Sequence, residues 1–563
     1  MIEIFIKIYL AAFFFIILGS SNYIKRNDDF SEYSYSGVLG IIYFSILVLF
    51  VNFILPLSPL INTFIFFFIL LISIFLKKKF LYQNYKKIFL YILIFSFFVT
   101  IILSFSNSYR PDSGLYHYPF VNILNENKII LGLSNLHFRF GHTSIIQYLS
   151  GAFNNHLFGI QGITIPLGLL VVFVIFYLIS EIIYFFKDIN FRIYTLFNLA
   201  LIIYCAYKLN RYSEFGNDAP GHVMAFFLVS ISIKKFIEKN NFNKDILLIA
   251  SYLFTIKPTL IIYLLIPAFI YIQERFRKIL NRKNILAIFL LICWCTKNFF
   301  ISSCILYPMS ISCIQSTSWY NQNNINSVKE IEIRSEAWNK DWPNRVDKNI
   351  KQNEYIKNFN WLGVWSQNHF LNVLKILIPY IIFIFLLFLF FFFISFKKPI
   401  VYSTKKNNIN LNIYLLLTIC SVGIMSWFLK APIYRYGYSY IIIFISLLFS
   451  LALDVRTSSM KNQSFKIVSS IILILVVITF VSKQFIRIQK NWTESYALKP
   501  WPKFYGMDKL NTPPKLREIY IDKFKIYMSK SECMYSKAPC TNVKVDKNLK
   551  IISKKNYLII KFK

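Results

Sequence analysis

The chain has 563 residues, of which 56% are hydrophobic and 19% aromatic, and its mean hydropathy is +0.51. Because apolar residues make up at most about half of an ordinary soluble domain, lipid must solvate much of this chain. The net charge of +36 is spread over short gaps between apolar runs, as in KKKFLYQNYKK at 77–87. That pattern is typical of cytoplasmic loops and not of a basic groove with interleaved aromatic residues. We therefore expect a lipid bilayer as partner, and no nucleic acid.

Twelve apolar runs have about the 20 residues that a membrane-spanning helix needs. They lie near 1–20, 38–57, 59–76, 88–106, 160–180, 193–209, 220–236, 285–303, 371–396, 411–429, 437–454 and 465–482. The run at 246–272 is interrupted by Lys257-Pro258, and because the residue before a proline resists helical geometry we expect two short helices there. The first run lacks a basic start and a small-residue cleavage site, so we interpret it as a membrane helix and not a signal sequence. The sequence predicts an all-α polytopic membrane protein with about 12 to 14 transmembrane helices.

The distribution of Lys and Arg predicts which loops face the cytoplasm. If 77–87 lies inside, five further basic gaps lie inside with it, namely 181–192, 234–245, 273–284, 397–410 and 455–465. The long outer loops are then 107–159, with two surface-lying amphipathic helices, and 304–370. We predict a membrane domain over 1–482 and a small outer C-terminal domain over 483–563, with strands in YLIIKFK.

The eight cysteines contain no CxxC signature of a metal site. Six are scattered singly or lie in apolar runs, and we expect these to be unpaired. Cys533 and Cys540 both lie in the outer tail, where an oxidising compartment permits a disulfide. We predict that these two are bonded.

Ionisable residues accumulate in the outer loops and at the outer ends of helices. The first loop contributes Asp112, His117, His137, Arg139 and His142; the second contributes Glu214, Asp218 and His222; helix ends contribute Lys257, Lys297, Lys430 and Arg435. Charges at membrane depth are costly and usually functional. Carboxylates combined with several cations suit a substrate that carries a phosphate and a hydroxyl to be activated.

Several of these residues also have a simpler interpretation. Asp112 and Asp218 both precede predicted helices, where an aspartate caps free N–H groups. Lys257 and Lys297 adjoin apolar helix, from which a lysine can extend to the membrane interface. His117 is close enough to Asp112 for a shared metal ion, but two ligands are weak evidence, and we predict no metal site from the residues alone.

Six segments occur in order between residues 112 and 541: DSGLYHYPFVNILNENKIILGLSNLHFRFG, NDAPG, TIKPT, TKNFFISSCILYP, PIYRYGYSY and CMYSKAPCT. The ordered series resembles a bacterial branch of the membrane glycosyltransferases of the GT-C superfamily, which combine many helices, an acid in the first large outer loop and a soluble outer C-terminal part. One departure is Lys297-Asn298, where we expect Arg-Asn; lysine keeps the charge but loses the bidentate fork of arginine.

The resemblance implies an inverting glycosyltransferase that uses a sugar on a polyprenyl phosphate, at the outer side of the bacterial cytoplasmic membrane. Asp112 would be the catalytic base for an acceptor hydroxyl on a glycan, lipid or protein of the envelope. The implied substrate-binding residues are His117, His137, Arg139, Asp218, Lys257, Lys297 and Arg435. Of these, the lysines and Arg435 would hold the donor phosphate. Asp218 and His117 would orient the sugar or acceptor, or hold a divalent cation if one is used.

Two other classes of function remain open at the level of sequence. A flippase or transporter of lipid-linked glycans would bind its substrate near the membrane midplane, between repeated halves with broken helices. The sequence contains one such break, at Lys257-Pro258, and its long loops lie on one side, which favours an enzyme. A polymerase or ligase of envelope polysaccharide would depend less on an acid that follows an early helix.

Overall fold

The structure is a computed structural model that describes residues 2–20, 30–105, 111–208, 215–238, 245–273, 281–322, 327–395, 407–457, 460–491 and 514–563. The helices are α1 (Ile2–Gly19), α2 (Phe30–Ile54), α3 (Pro59–Leu76), α4 (Lys78–Phe105), α5 (Tyr118–Glu126), α6 (Ile145–Phe153), α7 (Ile165–Phe185), α8 (Arg192–Lys208), α9 (Asp218–Glu238), α10 (Ile246–Ile256), α11 (Leu265–Gln273), α12 (Arg282–Ser302), α13 (Val328–Asn339), α14 (Gln352–Ile356), α15 (Leu362–Trp365), α16 (Leu371–Ser395), α17 (Asn407–Lys430), α18 (Tyr434–Thr457) and α19 (Asn462–Asn491). Within these ranges, twelve helical spans are long and apolar enough to cross a membrane, which confirms the predicted fold class.

The predicted break in the run at 246–272 is present. Helix α10 ends at Ile256, Lys257 has extended backbone angles, and Pro258–Leu264 forms a 3-10 turn before α11 begins. The proline has no N–H to continue the hydrogen-bond ladder of α10, and its ring clashes with helical geometry at the preceding residue. The break places Lys257 at the end of the short helix α10, inside the helix bundle.

The central helices of the bundle are covered on all sides, whereas the outer helices present apolar side chains to lipid. Four-fifths of each of α7, α8 and α9 is buried, against about a fifth of α3 and α16. The exposed residues of α3 and α16 are Phe, Leu and Ile, as expected for a surface that lipid solvates. Helices α1 and α2 pack closely because Gly19 and Gly40 lack side chains at their crossing, where a Cβ would collide with the facing backbone.

The first outer loop contains the two expected helices, α5 and α6, but they do not lie on the surface. Nearly every residue of both helices is buried inside the protein. The prediction of surface-lying helices is therefore wrong. The reason is tertiary. Helix α6 packs against α2 and α7, and the C-terminal domain covers α5 and the segment after it: the amide of Asn122 donates to the Ser536 carbonyl, and Leu131 pairs with Ile559 as a β-bridge.

Between residues 514 and 563, the C-terminal domain contains five strands: β1 (Leu516–Ile521), β2 (Phe524–Ser529), β3 (Cys540–Thr541), β4 (Leu549–Lys554) and β5 (Tyr557–Phe562). Strands β1 and β2 are antiparallel, β3 adds to β2 in parallel, and β4 and β5 form an antiparallel pair. The predicted strand in YLIIKFK is β5. The last membrane helix, α19, continues to Asn491, eight residues beyond the predicted boundary at 483, and residues 492–513 lie outside the described part of the chain.

The structure contains the predicted Cys533–Cys540 disulfide and a second one, Cys304–Cys313. The expectation that the other six cysteines are unpaired is therefore wrong for two of them. Cys304 and Cys313 are brought together by a short bridge between the chain segments on either side of a turn. Disulfides persist in oxidising compartments, so they indicate that this face of a multi-pass membrane protein is extracytoplasmic.

Candidate functional site

Asp112 lies at the start of the helical turn that follows α4, and its carboxylate does not cap that turn. The residue has helical backbone angles and its side chain makes no capping hydrogen bond. Its two carboxylate oxygens instead face two arginines: Oδ2 lies 3.1 Å from Arg435 Nη1 and Oδ1 lies 3.5 Å from Arg139 Nη1. Asp112 is thus an ion-pair partner between the first outer loop and α18, and the capping interpretation does not account for its carboxylate.

Arg435 connects the two carboxylates of the cluster. Its Nε lies 4.0 Å from Oδ2 of Asp218, while its Nη1 faces Asp112. The turn before Arg435 is held by two tryptophans, because Trp365 Nε1 donates to the Pro432 carbonyl and Trp427 Nε1 donates to the Ile433 carbonyl. These bonds fix the start of α18 and with it the origin of the Arg435 side chain.

Lys257 forms the buried end of the same cluster. Its Nζ donates to Asp218 Oδ1 at 2.7 Å and to the Arg435 carbonyl at 2.8 Å, and it lies 3.3 Å from His222 Nε2. The Lys257 side chain is 5% exposed. A lysine that extended to the membrane interface would have an exposed ammonium group, so that interpretation does not fit Lys257. The break between α10 and α11 is what brings this lysine to Asp218.

Three further side chains complete the cluster, and the prediction did not select them as site residues. His222 Nδ1 lies 2.8 Å from Ser439 Oγ. The hydroxyl of Tyr436 accepts from Arg435 Nη2 at 3.1 Å, and the guanidinium of Arg139 lies 5.0 Å from the centre of the Tyr116 ring. Tyr116 is adjacent to His117 and Tyr436 is adjacent to Arg435, and this proximity to predicted site residues was the only sequence signal that could have identified them. Their contacts with the two guanidiniums depend on the fold.

His117 is buried beside this cluster and is neutral. Gln147 Oε1 accepts from the backbone N–H of Ser144 in the capping box of α6, so its amide nitrogen must be the group that faces His117 Nδ1, at 2.9 Å. His117 Nδ1 therefore accepts, and the ring carries its proton on Nε2. Burial lowers the pKa of His117 to about 4. The residue can donate one hydrogen bond near Gly216, but it carries no charge at neutral pH.

Two predicted site residues contact other parts of the protein. His137 Nδ1 accepts from the backbone N–H of Arg139, and its Nε2 lies 2.9 Å from Asn542 Oδ1 in the C-terminal domain. Lys297 Nζ donates to Thr143 Oγ1 at 2.7 Å and lies 3.4 Å from the centre of the Trp294 ring. Glu214, which the sequence also marked, lies outside the described residues.

The described side chains of the cluster include three cations and two carboxylates: Arg139, Lys257 and Arg435 with Asp112 and Asp218. Asp112 and both arginines are between a quarter and a third exposed, so an anion can reach them. Within the described ranges, no group of three or more His, Cys, Asp or Glu residues is arranged to hold a metal ion. The cluster is suited to bind an anionic group next to a carboxylate that can accept a proton.

No protein of curated function and no solved structure matches this chain. A protein family does match it, over residues 1–442, a range that contains the whole Asp112 cluster but excludes the C-terminal strands. The family is described as a domain of unknown function. Since the match extends over most of the chain, this polytopic membrane protein belongs to the DUF8201 family.

Proposed function

We propose that this protein is a membrane glycosyltransferase that moves a sugar from a polyprenyl phosphate to an envelope acceptor, on the outer side of the bacterial cytoplasmic membrane. The observation that carries the proposal is the pairing of Asp112 with Arg139 and Arg435 next to the Lys257–Asp218 pair. Such a transfer needs a proton acceptor for the attacking hydroxyl and, close to it, cations that stabilise the leaving phosphate. The resemblance to the GT-C superfamily supports the same chemistry.

In the proposed reaction, the acceptor hydroxyl attacks the anomeric carbon of the donor sugar from the face opposite the phosphate. The new carbon–oxygen bond forms as the bond between the anomeric carbon and the phosphate oxygen breaks. The electron pair of the broken bond stays on the polyprenyl phosphate, and the proton of the acceptor moves to Asp112. The configuration at the sugar carbon is therefore inverted, and no further reactant is required.

The cations act on the leaving phosphate. A phosphate gains negative charge as the bond to the sugar breaks, and fixed positive groups stabilise that charge more strongly than they stabilise the starting material. Arg139 and Arg435 are accessible for this role, whereas Lys257 is buried and holds Asp218 in place. We assign His117 a hydrogen-bonding role through its Nε2 proton. Lys297 and His137, which contact Thr143 and Asn542, are assigned supporting roles.

The test replaces Asp112 by asparagine, which keeps the size of the side chain and removes the proton acceptor. Envelope glycans and lipid-linked sugars are compared by mass spectrometry in cells with wild-type protein, with Asp112→Asn and without the protein. We expect the glycan product to fall by about 100-fold or more, the usual contribution of a general base. Asp347→Asn, in the outer loop 304–370, is the matched control and should leave the product unchanged. The proposal would be refuted if the Asp112→Asn protein were present in the membrane at the wild-type level and glycan assembly were normal.

One observation favours a second candidate, a transporter of lipid-linked glycans. The break between α10 and α11 places Lys257 and its ion pair at a discontinuity within a membrane helix, a feature common at transporter binding sites. Purified protein in lipid vesicles distinguishes the two. A transporter would move a lipid-linked glycan between leaflets without changing it, whereas the glycosyltransferase would consume the donor and release polyprenyl phosphate.

A further inference from the structure

The two ion pairs of the cluster differ in how firmly they are held. Lys257 and Asp218 are 2.7 Å apart, and the lysine has a second acceptor in the Arg435 carbonyl. The contacts of Asp112 with its two arginines are longer, at 3.1 and 3.5 Å, and all three of those side chains are partly exposed. Exposed ion pairs contribute little to stability, so an external anion can displace Asp112 at small cost.

Each arginine of the Asp112 pair has an aromatic support that does not depend on Asp112. The guanidinium of Arg139 lies 5.0 Å from the centre of the Tyr116 ring, and that of Arg435 lies 5.0 Å from the centre of the Tyr436 ring. A guanidinium near an aromatic ring is attracted to the electron density of the ring face. The two forks should therefore stay near their present positions when the carboxylate between them is removed.

We propose that Arg139 and Arg435 form a seat for a lipid phosphate, and that the Asp112 carboxylate occupies this seat in the ligand-free protein. The inference rests on the proposed function, because the lipid phosphate is the donor's. The carboxylate and the phosphate are then competitors for the same two cations. Each arginine directs one nitrogen, Nη1, at one oxygen of Asp112, and a phosphate oxygen can take the place of each carboxylate oxygen in a charge-assisted hydrogen bond.

The exchange links donor binding to the chemistry. While Asp112 is paired with both arginines, each of its two carboxylate oxygens faces a guanidinium nitrogen, so neither oxygen is directed at an acceptor hydroxyl. When a phosphate binds the two guanidiniums, both Asp112 oxygens are released and can accept a hydrogen bond from an acceptor hydroxyl beside the bound donor. An acceptor hydroxyl is therefore activated only after the donor is present, and the donor must bind first.

Binding of polyprenyl phosphate to the full-length protein in detergent tests this competition directly. We expect Asp112→Asn to bind polyprenyl phosphate more tightly than wild type, by about fivefold, the ratio that corresponds to the loss of one exposed ion pair. Arg139→Gln should weaken binding. Polyprenol, which has no phosphate, should bind all variants equally, and Asp347→Asn should behave as wild type. If Asp112→Asn does not yield folded protein, Asp112→Ser removes the same charge and gives the same test.

The outcomes separate the inference from the proposed function. Equal or weaker binding of polyprenyl phosphate by the Asp112 variants overturns the competition and leaves the glycosyltransferase proposal intact. If neither wild type nor any variant binds polyprenyl phosphate, the proposal of a lipid-linked donor is refuted, and the proposed phosphate site at Arg139 and Arg435 is refuted with it. Inorganic phosphate, used as a competitor, identifies the source of the anion. If it displaces the lipid at equal concentration, the seat recognises a free anion, and the lipid part of the inference is wrong.

Discussion

The backbone N–H of Met534 donates to the carbonyl of Gly114 at 2.9 Å, joining the C-terminal domain to the turn that carries Asp112. Met534 follows Cys533, so the loop closed by the Cys533–Cys540 disulfide is in direct contact with this turn. The hydroxyl of Tyr535, in the same loop, donates to Asn125 in α5. The C-terminal domain, which lies outside the range matched by the family, thus stabilises the first outer loop through hydrogen bonds.

Opening this disulfide should loosen the turn after Asp112. The double variant Cys533→Ser/Cys540→Ser should destabilise the C-terminal domain by about 2.5 kcal/mol, the chain-entropy value for so short a loop. Because the loop bonds to Gly114, we expect faster amide hydrogen exchange at 113–126 as well as within the domain itself. Hydrogen exchange followed by mass spectrometry measures both.

The second disulfide provides the control for that experiment. Cys304→Ser/Cys313→Ser opens a loop of similar length in a different part of the outer face. It should raise exchange at 303–317 and leave 113–126 as in wild type. Unchanged exchange at 113–126 in the Cys533→Ser/Cys540→Ser protein would show that the C-terminal loop does not hold the Asp112 turn.

Loss of one partner from the Lys257–Asp218 pair should destabilise the membrane domain strongly. Lys257→Met leaves the Asp218 carboxylate without its nearest cation, and breaking a buried pair in this way typically costs about 3–5 kcal/mol. The double variant Lys257→Met/Asp218→Asn should recover part of the loss, because no uncompensated charge remains. Thermal unfolding in detergent measures both. Lys525→Met, which breaks the exposed Lys525–Glu518 pair, should have no measurable effect.

The packing of α17 against α18 depends on Gly437. A Cβ at this position would collide with the ring of Trp427, which itself holds the turn before Arg435. We expect Gly437→Ala to destabilise the protein by about 1–3 kcal/mol, as overpacking does, and to weaken polyprenyl phosphate binding through displacement of Arg435. Gly363→Ala is the matched control, since a Cβ there meets nothing within 4 Å. Equal melting temperatures for the two alanine variants would contradict the packing argument.

The outer face should lose stability in acid because of His117 and His137. Burial lowers the pKa of each to about 4, whereas an unfolded histidine titrates near 6.5. Between these values the unfolded state binds more protons than the folded state, so stability falls as the pH falls from about 6.5 to 4. Each residue contributes up to about 3 kcal/mol to this loss. His117→Gln and His137→Gln should each flatten the dependence of melting temperature on pH, and an unaltered slope in both variants would refute this origin.

The order of the apolar runs was sufficient to predict the membrane domain and its break. Hydrophobic length determines whether a helix can span lipid, and a proline acts on its immediate neighbours, so both signals are local. The Cys533–Cys540 bond was also predictable, because its partners are close in sequence and both lie outside the membrane. The same argument applies to Cys304–Cys313, because both cysteines lie in the predicted outer loop 304–370; the prediction missed this bond because it treated them as isolated.

Only the tertiary structure determined how the outer ionisable residues pair. Asp112, Arg139 and Arg435 come from distant parts of the chain, and their contact depends on the packing of α18 beside the first outer loop. Lys297 has the same positive charge as Lys257, but it donates to Thr143 and not to a carboxylate. The local sequence around the two lysines does not predict this difference. By itself, the sequence determined which segments can span lipid, because lipid acts on each segment separately. Which of them meet was decided by packing between helices, and this depends on the whole bundle.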